Sequence, residues 1–368
     1  MEEQVVNTQD QKETKCKECG ATLHYSPGTS SLNCQYCGTE NTFEVKREPI
    51  EEIDFEVYVN DMMNRADETQ TVSTIHCDSC GSTTQLNPNI VSDSCAFCGS
   101  HLSVKAGSTK IIKPKSMLPF GVDRNQAFDE FRKWIHSRWF APNDLKKFLR
   151  HSEKLSGVYL PYWTYDAGTD TSYTGMRGIN RTESYTAFEN GKSVTRTRVV
   201  TDWYPCSGYV QQDFDDVLVL ASSSLPKAYT EALEPWDLEN LTSFDEKFLT
   251  GFRAESYAVD LKEGFENAKS KMDVMIRQSV NRHIGGNHQR ILTMDTTHYN
   301  VTFKHILLPV WISAFKYHGK TYRFMVNGRT GEVQGERPYS TMKIVMFVLM
   351  CIAIIGAIIW LIMYFQNK

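Results

Sequence analysis

Cys16-Lys17-Glu18-Cys19-Gly20, followed by Cys34-Gln35-Tyr36-Cys37-Gly38, is the stretch on which the reading of this chain turns. It recurs as Cys77-Asp78-Ser79-Cys80-Gly81 and Cys95-Ala96-Phe97-Cys98-Gly99. The inner cysteines are separated by 14 residues in both copies, and the copies lie 61 residues apart. Pro27 and Pro88 also occupy equivalent places. A Cys-x-x-Cys turn presents two thiolates to one ion from adjacent backbone, and closed structural zinc sites use four protein ligands. Glycine after each second cysteine suits the positive φ of a tight knuckle. The gap between pairs suits a small hairpin that brings the second pair beneath the first. The pattern therefore implies two zinc ribbons and two Zn2+ ions. The ligands are Cys16, Cys19, Cys34 and Cys37 in the first, and Cys77, Cys80, Cys95 and Cys98 in the second. Units this small have little core of their own, so the metal is expected to supply folding free energy. Four protein ligands leave no open position, so zinc catalysis is not expected; with no catalytic constellation elsewhere in the sequence, neither is an enzyme.

Disulfides and redox-active cysteine pairs are the competing readings. The first 15 residues have no apolar run, so no export signal is expected, and a reducing compartment favours metal. Cys206 and Cys351 fall outside the repeat, and Cys206 has no evident catalytic partner. Residues 1–110 hold 8 Lys/Arg against 17 Asp/Glu, a net of −9, within a chain of net −4. Such acidity opposes approach to phosphate, so nucleic acid is an unfavoured partner.

Residues 1–47 read as the first ribbon with its tail, 48–72 as an acidic linker and 73–110 as the second ribbon. The linker's apolar residues are compatible with a short helix. Residues 111–340 read as a mixed α+β domain. Ala127, Phe128, Phe131, Trp134, Ile135 and Trp139 recur at helical spacing, and Pro142 suits the first turn of another helix. Residues 157–220 alternate Thr, Tyr, Val and Trp with polar residues, as strands do. Ser243 to Glu246 has the form of a capping box. Leu261, Phe265, Ala268, Met272, Met275, Ile276 and Val280 trace one helix face, with Gly285-Gly286 as its stop. Strands return over 299–335, where Asn327-Gly328 offers a tight turn. Leu160-Pro161-Tyr162-Trp163 and Leu308-Pro309-Val310-Trp311 hint at an internal duplication.

Ile344 to Phe365 is 22 residues without a charge. As a helix it reaches about 33 Å, against about 30 Å of bilayer hydrocarbon. Residues 341–368 therefore read as a transmembrane anchor with a short tail. Arg323, Arg329, Arg337 and Lys343 precede it and only Gln366-Asn367-Lys368 follow. The positive-inside rule then places the N-terminal domains in the cytoplasm of a single-pass protein of the cell membrane. Ala353 and Ala357 form a small-xxx-small pair of the kind seen in helix dimers.

Other motifs resolve to bland readings. Asn190-Gly191-Lys192-Ser193 lacks the first glycine of a phosphate loop, since Thr186 stands there, and reads as a hairpin turn. His283, His288, His298 and His305 have no metal-ligand spacing. Asp166 and Asp170 read as surface turn residues.

The whole arrangement resembles a family of bacterial membrane-anchored double-zinc-ribbon proteins. These carry transcription-factor-IIB-type (TFIIB-type) labels, or the label of primosomal protein N′, a superfamily II helicase. The likeness rests on the two ribbons, on Ser137 to Pro142, on Gly157 to Ala167 and on Val326 to Pro338. The helicase label conflicts with the missing phosphate loop. The resemblance implies cytoplasmic partners of the phage-shock-protein-A or SPFH-like scaffold type, in membrane stress or membrane organisation. It carries over the eight cysteines and no catalytic residue. The expectation is thus a membrane-anchored zinc-binding adaptor. The alternatives are a membrane-tethered nucleic-acid-binding regulator, or an enzyme with its site in 111–335.

Overall fold

The computed structural model describes residues 15–45, 49–60, 69–85, 94–100, 106–148, 155–189 and 192–366. The N-terminal tail, residues 61–68 of the acidic stretch, Pro88, Asn190-Gly191 and Asn367-Lys368 lie outside them. The fold is α+β, with cysteine ribbons at one end of the chain and an apolar helix at the other.

Each ribbon is a small three-stranded antiparallel sheet. The first comprises β1 (Leu23–Tyr25), β2 (Ser31–Cys34) and β3 (Glu40–Thr42), in that order. After it, part of the acidic stretch enters the body. Strand β4 (Ile53–Asp54) and helix α1 (Phe55–Asn60) follow, and Ile53 and Tyr58 are buried in the core beside Phe303. The second ribbon comprises β5 (Thr69–His76), β6 (Thr83–Gln85) and β7 (Ala106–Ile112), with β5 central.

The remainder repeats one unit twice. The first copy runs through β8 (Ser116–Met117), α2 (Arg124–Ser137), α3 (Asn143–Phe148), β9 (Ser156–Glu189) and β10 (Lys192–Leu220). Short elements α4 (Lys227–Glu231) and β11 (Thr242–Ser243) intervene. The second copy runs through β12 (Arg253–Ala254), α5 (Leu261–Ile284), β13 (His288–Tyr317), β14 (Lys320–Asn327) and β15 (Val333–Gly335). The sheet order β10-β9-β13-β14-β15 puts the two long strands side by side, with Leu160 opposite Leu308. Each short lead strand pairs in parallel with the other copy's long strand: β8 with Ile306-Leu307, and β12 with Val158-Tyr159. The indoles repeat the exchange. Trp163 donates to Val259 O at 3.0 Å, and Trp311 to Val122 O at 2.9 Å. The next residue in each copy, Asp123 or Asp260, caps the following helix. The duplicated tetrapeptide thus marks a local two-fold axis between β9 and β13.

Both helices follow their apolar faces. Helix α2 opens with Asp123 and Gln126 in a reciprocal capping box. Helix α5 buries Leu261, Phe265, Ala268, Met272, Ile276, Val280 and Ile284, and ends at Gly285 with φ 67°. Met275 does not join this face and is half exposed. Gly264 lets α5 lie close to β9: a Cβ there would stand 2.8 Å from Trp163 Cδ1 and closer still to Tyr165 Oη.

Strands β9, β10 and β13 build a long arm along which α5 packs. Past the Gly178–His288 pair only β9 and β10 continue, and most of their side chains there are exposed. At about 3.3 Å per residue, this two-stranded end extends roughly 36 Å.

Three local expectations are corrected. Ser243 lies in β11 opposite Ser116, and Asp245 caps the 3₁₀ turn Glu246–Leu249 by accepting from Lys247 N–H. Asn327-Gly328 begins a longer connection, in which the buried Asn327 side chain accepts from Arg329 and Thr330 N–H and Gly331 takes φ 82°. Asp166 and Asp170 stand on β9, not in a turn.

Helix α6 (Thr341–Gln366) is long and apolar enough to cross a membrane, and its apolar side chains are not buried against the body. This makes it a candidate span.

Candidate metal centres

Local backbone geometry makes the four knuckles. Gly20, Gly38, Gly81 and Gly99 have φ of 73°, 76°, 78° and 72°. Their N–H groups return to the carbonyls of Cys16, Cys34, Cys77 and Cys95 at 2.8–2.9 Å. The hairpin of each ribbon then sets one knuckle against the other. Within each group of four, all Sγ atoms lie within 4.8 Å of one another.

These positions fit a tetrahedral ion. A zinc–sulfur bond of about 2.3 Å implies sulfur–sulfur edges of about 3.8 Å. Cys16–Cys37 and Cys19–Cys34 stand at 3.5 Å, and Cys77–Cys98 and Cys80–Cys95 at 3.7 Å. All eight cysteines are free thiols, and such distances are far from a disulfide bond of about 2.05 Å.

The thiols are poised unequally. Hydrogen bonding from the Thr39 side chain and backbone brings Cys37 down to about 6. At Cys19 the Ala21 backbone pulls downward, but burial and the neighbouring thiols prevail and raise it to about 12. In the second group burial lifts Cys80 to about 12. Burial also opposes ionisation of Cys98, but the Ser100 hydroxyl and backbone bring it down to about 7. Protons alone leave such a cluster partly protonated, whereas a divalent cation stabilises four thiolates together. Hydroxyls support the sulfurs: Thr39 Oγ1 lies 3.2 Å from Cys37, and Ser82 Oγ 3.3 Å from Cys80 and Cys95. These residues follow the knuckle glycines directly, a signal present in the sequence.

Both ribbons dock on the body. Tyr25 N–H donates to Thr250 O and Gly28 N–H to Phe120 O, while Leu23, Tyr25 and Leu32 join a core with Phe120 and Trp311. On the second ribbon Thr83 O accepts from Ser256 N–H, and Ser94 O accepts from Arg253. The two flank a shared strip: depressions of about 480 and 470 Å3, one beside each ribbon, both include Arg124, Leu155 and Ser156. Units with little core of their own thus complete one against the body.

The two equivalent knuckles present opposite faces. Tyr36, between Cys34 and Cys37, is 85% exposed, with Gln35 exposed beside it. Phe97, between Cys95 and Cys98, is 0% exposed, packed with Ala96 into the cluster of Val158, Leu160 and Ile312. The contrast Gln-Tyr against Ala-Phe is the sequence signal that marks it.

Other candidate groups separate. Asp166, Asp215 and Asp216 converge, but Lys304 Nζ already stands 2.8 Å from Asp216, 3.1 Å from Glu52 and 3.9 Å from Asp166. Burial pushes Asp166 up to about 6 despite that ammonium. Among the described residues the four histidines form no common group. His305 is buried, 2.8 Å from Ile112 O, and burial brings it down to about 4. His283 meets Tyr173 and His288 meets Trp203.

No protein-family model matches the chain, and no solved structure matches it. Among curated proteins it is similar to the uncharacterized protein YdjG of Bacillus subtilis (strain 168). The two are 25% identical over 331 residues, covering 90% of this chain and 91% of that protein.

Proposed function

We propose that the chain is a membrane-anchored adaptor whose two cysteine clusters hold zinc and whose first ribbon docks a cytoplasmic protein. One observation carries this reading: Tyr36 stands 85% exposed on its knuckle, where its counterpart Phe97 is buried. Tyrosine is a frequent interface anchor, because it offers large contact area at low entropic cost. The second ribbon, its knuckle sealed into the core, is structural. Helix α6 holds the assembly at the cell membrane, with the basic flank and both ribbons cytoplasmic. The family resemblance suggests a phage-shock-protein-A-like or SPFH-like scaffold as partner. Sulfur sites with four protein ligands supply no open position for zinc catalysis, and the sequence offers no catalytic constellation, so the reading is of a non-enzyme.

The test is purification of the full chain from native membranes in mild detergent, with Tyr36→Ser in parallel. The expected outcome is a partner that co-purifies with wild type and is lost from the variant, with two zinc ions per chain in both. Equal recovery of the same partner from the variant removes the docking role.

A further inference from the structure

Helix α6 meets the body at a built joint. Ser340 N–H donates to Phe140 O at 2.8 Å. Lys343 Nζ stands 3.2 Å from Trp139 O, 2.7 Å from Ala141 O and 2.8 Å from Asn143 Oδ1. An ammonium has three N–H donors, so all of them are used on the corner between α2 and α3. Phe140 meets Phe347 edge-on, with ring centroids 5.4 Å apart. Only five residues, with Pro338 buried among them, separate β15 from α6.

This joint fixes depth. The charge-free run begins at Ile344, and Phe347 lies about 4.5 Å further along the helix axis. A ring packed on Phe347 is therefore level with the membrane boundary. Beside it Trp139 is 74% exposed, and Tyr339 and Met342 are also exposed. Tryptophan and tyrosine gain most at the headgroup level, where an apolar ring and a polar edge are both satisfied. The Arg138 guanidinium lies 4.9 Å from the Trp134 ring centroid, and that of Arg337 lies 5.3 Å from the Tyr339 centroid.

We infer that the corner Arg138–Pro142, with Tyr339, is seated in the phospholipid headgroup layer: Trp139 enters the interface, and Arg138 and Arg337 meet lipid phosphate. This rests on the reading of α6 as a membrane span. Lys343 is then a positioning residue, which withdraws its own charge from the lipid to hold the corner in place. The body lies against the membrane at a fixed angle and does not swing on a tether.

The test uses the full chain and Trp139→Phe, reconstituted in phosphatidylcholine vesicles doped with a headgroup-nitroxide lipid. Trp139 emission is read as the difference between the two proteins. Flotation with the vesicles after an alkaline wash reports on α6 separately. The expected result is flotation of both proteins, with a Trp139 component that nitroxide lipid quenches and aqueous iodide does not. Flotation with a component quenched only by iodide overturns the seating while leaving the span. A component shielded from both quenchers places Trp139 against another protein surface and equally overturns it. Loss of flotation removes the span and the seating together.

Discussion

Glu255 shows how a single residue ties the second ribbon to the body and sets a pH dependence. Its N–H donates to Tyr159 O, its backbone bridges Thr84 of the ribbon, and Ser224 Oγ donates to its carboxylate. Burial pushes the carboxyl up to about 7, against the opposing hydrogen bonds of Ser224 and Ser222. A carboxyl raised above its unfolded value contributes stability that is complete below the unfolded value. That stability is lost as pH rises through about 7. At 1.36 kcal/mol per unit, the effect is on the order of 3 kcal/mol for so buried a group. Glu255→Gln keeps the shape and removes the charge. Its thermal midpoint in detergent should exceed wild type at pH 8, and the advantage should shrink towards pH 5. An equal difference at both pH values would show that Glu255 does not titrate in the fold.

At the scale of elements, what the sequence disclosed follows from where the physical signal lay. The apolar faces of α2 and α5 and the Gly285 stop are legible because both helices bury one face, whereas Trp139, spaced to continue α2, lies beyond its end at Ser137 and is 74% exposed. The knuckles were legible because metal geometry imposes spacing. The arm was read only as β-rich. Its outer half is exposed on both faces, so Thr182, Ser184, Thr195 and Thr197 give no apolar alternation to measure. The two-residue strand β11 looks like a helix start because Ser243 and Glu246 have the spacing of a capping box, whereas the cap of the following 3₁₀ turn is Asp245. The difference between Tyr36 and Phe97 shows in the sequence only as Gln-Tyr against Ala-Phe; which of the two is covered depends on what each ribbon packs against, far off in the chain. Helix α5 carries its own test. Gly264→Ala normally gains helix propensity, by about 1 kcal/mol. Here the added methyl meets Trp163 and Tyr165. Overpacking of this kind costs about 1–3 kcal/mol, so a lower thermal midpoint is expected. A raised midpoint would place α5 further from β9.

For the whole molecule, the ribbons and the repeated unit form one body. Each copy of the unit lends its lead strand to the other, so neither closes its sheet edge alone. The first ribbon places Leu23, Tyr25 and Leu32 in the same cluster as Phe120, Phe252 and Trp311. Metal bound at Cys16, Cys19, Cys34 and Cys37 therefore supports that core as well as its own hairpin. The most direct measurement is the zinc content of the purified full chain, alongside the double variant Cys16→Ser/Cys37→Ser, with thermal unfolding of each. Two zinc ions per chain are predicted for wild type. One ion, and a body that melts at lower temperature, are predicted for the variant. A wild-type chain that is fully folded without zinc, or a variant that keeps both ions, would contradict the account.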